Sequence, residues 1–162
     1  MSRSDRGSVR IFLDTGVIID GCVSYWSAAK ALLIMLSIDA RYTVVLAERI
    51  EEELAGAALT RSDRMTAPQA AEFLAAVDGW LRRVRLERLA APSDDAIRVA
   101  MSTLLPALRH ANDIEAVVAA IEAQPDWVIS TNRAHWNDDL ARRSGLRIAT
   151  PHDFLLALQP PT

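Results

Sequence analysis

Asp14, Glu53, Asp113 and Asn132 are the residues whose types and spacing could do chemistry. All offer oxygen, and no Cys or His sits among them. Hard oxygen donors suit Mg²⁺ or Mn²⁺ and not structural zinc. Asp14 interrupts the apolar run V-R-I-F-L-D-T-G-V-I-I-D at residues 9–20. A buried, unpaired carboxylate is costly, and like charges at one place need a cation. Taken singly, each residue also has a plain structural reading. Asp14 and Asn132 could serve as turn or cap residues. Glu53 follows Glu48, Glu51 and Glu52, a run that suits a solvated helix face. Asp113 would be stabilised by about 0.3–1 kcal/mol in a helix first turn without any function.

The elements around these residues decide whether they can meet. Residues 9–13 suit a strand that ends in a turn at Asp14-Thr15-Gly16, and a helix is expected from about Ser24 to Asp39. Thr43 to Leu46 reads as a buried strand. A helix then runs from Ala47 to about Leu59, with Leu46, Ile50, Leu54 and Ala58 on one face. Arg61 to Ala67 is a polar linker, and Pro68 suits a helix first turn. Val84 to Leu89 is a further strand, and Ser93 an N-cap before a helix that Pro106 ends or kinks. Asn112, with Glu115 three residues on, resembles a capping box. Trp127 to Ser130 and Leu146 to Ala149 complete the strands, and Pro151 starts a closing helix.

Strands alternating with helices predict an α/β domain with a parallel sheet covered on both faces. Ligands in such sheets sit beyond the carboxyl ends of the strands. Asp14 and Asn132 fall at strand ends, Glu53 in the helix after the second strand, and Asp113 at the start of the helix that feeds the fourth.

Bulk properties narrow the classes. The 162 residues are 51% hydrophobic and 24% charged, with a net charge of -3, which suits a single globular domain. The expected division is a polar tail over 1–8, the domain over 9–158 and a short tail over 159–162. Bulk charge does not imply a strongly basic nucleic-acid binder, although Arg82, Arg83, Arg85 and Arg88 could form a local patch. Cys22 is the only cysteine, so a disulfide framework is excluded and a reducing cytoplasm is expected. The longest apolar stretch, Ala28 to Ile38, is too short to span a bilayer, so no membrane partner is expected.

Several pieces, taken in order, resemble the PIN-domain family of metal-dependent nucleases, which includes VapC-type toxins. I-F-L-D-T-G-V-I-I-D resembles its opening strand and aspartate. L-A-E-R-I-E-E-E-L resembles the second acidic motif, with Glu53 in place and Glu52 as the alternative. H-A-N-D-I-E-A-V-V-A-A-I resembles the third, at Asp113. W-V-I-S-T-N-R-A-H-W resembles the fourth, and G-L-R-I-A-T-P-H-D-F-L the last strand and closing helix. The likeness spans about residues 9 to 158. It departs at Asn132, where many members carry Asp; Asp138 and Asp139 are the nearby substitutes.

The resemblance implies a three-layer α/β/α sandwich with a central parallel sheet of four or five strands. It implies hydrolysis of RNA with Mg²⁺ or Mn²⁺, held by Asp14, Glu53 and Asp113, with Asn132 as a neutral fourth member. Thr15, Ser130, Thr131, Arg133 and Arg109 are then candidate substrate contacts, and so is His110. His135 could touch substrate, or simply pack at a helix start. A protein antitoxin and a homodimer are the implied partners, and Trp26 on an apolar helix is a candidate for such an interface. A non-catalytic module of the same fold, binding RNA or protein, is the alternative, and Asn132 favours it. D-T-G also opens aspartic-protease sites, but those proteins are β-rich and rich in Gly, and this chain has 6 Gly. A haloacid-dehalogenase-like phosphatase would want Asp where Gly16 stands, and a dinucleotide binder a Gly-rich first turn.

Overall fold

The computed structural model describes residues 7–60, 65–104, 107–108 and 113–159. Five strands form one all-parallel sheet in the order β3-β2-β1-β4-β5. They are β1 (Val9–Leu13), β2 (Tyr42–Ala47), β3 (Leu86–Leu89), β4 (Trp127–Ile129) and β5 (Ile148–Ala149). β1 is central, with Phe12 opposite Val45 on one side and Val128 on the other. Ile11, Phe12 and Leu13 are fully buried, as a strand covered on both faces requires.

Eight helices among the described residues surround the sheet: α1 (Thr15–Val23), α2 (Ala28–Ile38), α3 (Glu48–Thr60), α4 (Ala67–Leu81), α5 (Asp94–Leu104), α6 (Ile114–Ala123), α7 (Asp138–Ser144) and α8 (Pro151–Ala157). The expected α/β/α architecture is present. On α3 the apolar face is Ile50, Leu54 and Ala57, all buried. Caps fall where short polar residues precede the helices. Thr66 and Gln69 make a capping box for α4. Ser93 accepts from the backbone of Ala96, and Thr150 from that of Asp153. The Arg61–Arg64 part of the linker, the kink at Pro106 and the cap at Asn112 lie outside the described residues.

One element departs from expectation. Residues 14–16 are not a turn followed by loop; α1 starts directly after Asp14. Asp14 has extended backbone (φ -77, ψ 153), and the buried Val17 and Ile18 drive the next turn inward. The helix expected from about Ser24 to Asp39 is α2, which starts later, at Ala28, and the additional helix α1 meets it at 94°. Ser27 restarts the chain by accepting from the backbone N–H of Lys30 at 3.0 Å. Gly21 permits the tight crossing, since a Cβ there would lie 2.5 Å from Leu33 Cδ1 and 3.0 Å from the Ala29 carbonyl.

The tryptophans sort by burial. Trp80 is buried and donates Nε1–H to the Leu33 carbonyl at 3.0 Å. Trp136 is buried against Phe12. Trp127 stands edge-on to Phe154, with the Arg147 guanidinium 3.5 Å from its ring centre. Trp26 is 96% exposed. Within the arginine cluster, Arg82 pairs with Asp78, Arg88 with Glu51, and Arg85 donates to the Ala40 carbonyl. No single helix among the described residues is long and apolar enough to cross a membrane.

Arg10 on β1 holds Glu87 on β3 through two hydrogen bonds, at 2.8 and 2.6 Å. That contact lowers the Glu87 pKa and raises that of Arg10. A depressed carboxylate contributes stability above its unfolded value and loses it as pH falls through the folded one. Both side chains are about one-third exposed (31% and 37%), so the contribution is at most about 1 kcal/mol. Denaturant titrations from neutral to acid pH should show that loss in the wild type and a flatter acid limb in Glu87→Gln. Parallel limbs would mean that the pair carries no stability.

Candidate functional site

The site is built where β1 and β4 end side by side. The Asp14 backbone N–H donates to the Ile129 carbonyl at 3.0 Å, which brings the two strand ends into register. Ser130, fully buried, donates its hydroxyl to Asp14 Oδ2 at 2.7 Å. The same Ser130 oxygen accepts the backbone N–H of Asn132 at 3.0 Å. Ser130 thus ties the carboxylate to the turn after β4. Ser130, expected as a substrate contact, is engaged by the Asp14 carboxylate and the Asn132 backbone.

Glu53 arrives from α3. Its register with Ile50 and Leu54 turns it inward, whereas Glu52 points outward, 59% exposed, and pairs with Arg49 at 3.4 Å. Thr15 Oγ1 donates to Glu53 Oε2, and Arg49 Nε lies 3.3 Å from Oε1. Thr15 is therefore a strut between α1 and Glu53, a placement that its type alone did not announce. Burial pushes the Asp14 carboxyl above the usual carboxylate range, and the nearby Glu53 charge adds to that. The Ser130 hydroxyl, the Thr15 N–H and His135 pull the other way without prevailing.

Asp113 immediately precedes α6 and makes no side-chain cap to its own helix. Its Oδ2 lies 3.2 Å from His135 Nδ1. Asn132 does not turn its amide oxygen toward the carboxylates: Oδ1 accepts the His135 backbone N–H at 3.3 Å. Its expected place as fourth member of the cluster is thus occupied by a turn-holding role. Thr131 is exposed, with Oγ1 3.2 Å from where a Cβ on Gly16 would stand. Arg133 is exposed and pairs with Asp138 at 3.0 Å. Asp139 is engaged by Arg142 and Arg143 on α7, so neither aspartate replaces Asn132. Arg109 and His110 lie outside the described residues. His135, expected either to touch substrate or to pack at a helix start, is buried against Trp136 and beside Asp113, a neighbour that its place in the sequence does not reveal.

A family model for the PIN domain matches residues 10–134. The chain belongs to the PIN-domain family. No protein with a curated description matches it in sequence. Among solved structures, the PIN domain resembles VapBC2 from Rickettsia felis bound to a DNA fragment from its promoter, with TM-score 0.64 and 14% identity over 88% of this chain and 98% of that one. PAE2754 from Pyrobaculum aerophilum gives TM-score 0.62 and 13% identity, covering 97% and 95%. FitAcB from Neisseria gonorrhoeae gives 0.61 and 15%, covering 88% and 98%. At these identities the likeness is one of fold.

PIN domains are generally nucleases and typically use divalent metals. The donors here suit such an ion. Asp14 and Glu53 are hard oxygen ligands brought close enough to repel, and the Asp14 carboxyl is raised by burial. A cation would relieve both penalties. Among the described residues, no three His, Cys, Asp or Glu side chains converge into a ready metal cluster. Asp14 and Glu53 are neighbours, and Asp113 lies beside His135.

Proposed function

We propose that this PIN domain is a metal-dependent endoribonuclease, the toxin of a type II toxin–antitoxin pair acting in the cytoplasm. The observation that carries the reading is the Asp14–Glu53 pair at the carboxyl edge of a parallel sheet, with Asp14 raised by burial. Asp14, Glu53 and Asp113 would hold Mg²⁺ or Mn²⁺. Such an ion supplies Lewis acidity toward water and phosphate. Ser130 fixes Asp14 through Oδ2. Thr15 and Arg49 fix Glu53. Thr131 and Arg133 are exposed and available to phosphate, and a cation adds affinity through counterion release; Arg109 is a further candidate phosphate contact from the sequence.

The partner reading is supported by the corner between α1 and α2. Tyr25 and Trp26 are 91% and 96% exposed there, and Ile38 is 79% exposed at the other end of α2. Exposed apolar groups of this size favour a protein contact, as an antitoxin or a second copy of the chain would supply.

A non-catalytic PIN-like binding module is the second reading. It is favoured by the Asn132 amide, which faces the backbone and not the carboxylates. Cleavage of a structured RNA pool by wild type and Asp113→Asn, with Mn²⁺, Mg²⁺ or EDTA, separates the two. Metal-dependent cuts that vanish in the variant are expected. Identical behaviour of both proteins with every metal would leave the binding module as the better reading.

A further inference from the structure

His135 is the buried ionisable group that the proposed reaction leaves without a role. Its side chain is 6% exposed. Neither ring nitrogen has a hydrogen-bond partner among the described residues. Nδ1 stands 3.2 Å from Asp113 Oδ2, in ion-pair range but off the line of a good hydrogen bond. Buried polar atoms without partners are rare, and each calls for a physical explanation, a functional role or a bound ion among them. Bonds at such positions are commonly long before ligands arrive.

The ring is held there by a short relay. Ser130 Oγ accepts from the Asn132 backbone, Asn132 Oδ1 accepts from the His135 backbone, and the Asn132 carbonyl accepts from Trp136 at 2.9 Å. Trp136 then packs edge-on to the imidazole, with centroids 5.6 Å apart at 87°. Asp113 makes no cap to α6, so His135 is the partner that orients it among the described residues.

We propose that His135 is a positioning residue, whose Nδ1 holds Asp113 toward the Asp14 end of the sheet, and that Asn132 serves by shaping the turn that carries it. The contact rests on geometry alone; its consequence for catalysis rests on the reading of the site as metal-binding. Groups that orient metal ligands are worth about 10–100-fold in metal affinity.

Two substitutions separate positioning from packing. His135→Asn keeps a donor where Nδ1 stands and loses the ring. His135→Phe keeps a ring against Trp136 and loses the donor. Calorimetric titration of the full chain with Mn²⁺ is expected to show binding weakened about 10–100-fold in His135→Phe, with His135→Asn nearer to wild type. Wild-type affinity in His135→Phe, or a larger loss in His135→Asn, would overturn the proposal. A second measurement in EDTA does not depend on metal. Asp113→Ala should shift the urea midpoint of the wild type by more than it shifts that of His135→Phe; equal shifts also overturn the contact. If the wild type takes up no Mn²⁺, the metal reading falls, and the EDTA comparison still decides whether His135 holds Asp113.

Discussion

Asp14→Asn is expected to lower phosphodiester cleavage by about a thousandfold or more while raising the stability of the metal-free protein. On the proposed metal-binding reading, the loss follows from removing one of the carboxylates that would hold the ion. Metal-ion catalysis supplies several kcal/mol of charge stabilisation, and each 1.36 kcal/mol is about tenfold in rate. The gain follows from the raised Asp14 pKa. A carboxyl whose folded pKa lies above its unfolded value contributes stability at low pH and loses it as pH rises through the folded value. At neutral pH the ionised form is therefore a burden, and the neutral amide removes it. The amide oxygen can still accept the Ser130 hydroxyl that now binds Oδ2 at 2.7 Å.

Metal should invert this order. A ligand at about 100 times its dissociation constant adds about 2.7 kcal/mol to a protein that binds it only when folded. Thermal melts in EDTA should place the variant above the wild type, and melts in saturating Mn²⁺ should place it below. Cleavage within tenfold of wild type would remove Asp14 from the reaction. A lower melt in EDTA would mean that the Ser130 contact outweighs the burial and repulsion that raise the carboxyl.

Trp136→Ala is expected to cost about 3–5 kcal/mol of folding stability, as large aromatic truncations in cores do. That is a large share of the 5–15 kcal/mol typical of a domain. Trp136 is 1% exposed and packs on Phe12 of the central strand, with ring centres 5.8 Å apart. It is also the wall of the His135 ring. The substitution should therefore disturb the site as well as the core. Urea titration followed by circular dichroism measures the cost directly. A change below about 1 kcal/mol would mean that residues 130–137 do not pack on β1 as described.

Legibility in the sequence followed the physics of each signal. Buried parallel strands announce themselves as short apolar runs, and β1 and β2 were found nearly to the residue. Glu52 stayed open as the alternative to Glu53 in the sequence; in the structure Glu52 is the more exposed of the two, 59% against 31%. α1 was missed because Asp, Thr and Gly in a row carry turn chemistry; what settles the issue is the burial of Val17 and Ile18, a tertiary fact. Asn132 illustrates a different limit. Its place after a strand was readable, but the direction of its amide depends on the His135 N–H behind it. The Thr15–Glu53 and Asp113–His135 contacts join segments far apart in the chain, so no local pattern could reveal them.

The order of strands has a consequence for how the protein is made. β1 emerges first but lies at the centre of the sheet, and its second neighbour, β4, begins only at Trp127. The Asp14–Ser130 bond closes across 116 residues. Such long-range contacts form late in folding, and synthesis delivers their second partner later still. A chain still on the ribosome thus lacks half of its central strand's pairing, and the Ser130 anchor of Asp14, until β4 has emerged. The Asp14 anchor forms only after Ser130 has emerged, so all the residues between the two are made before these strand ends can meet.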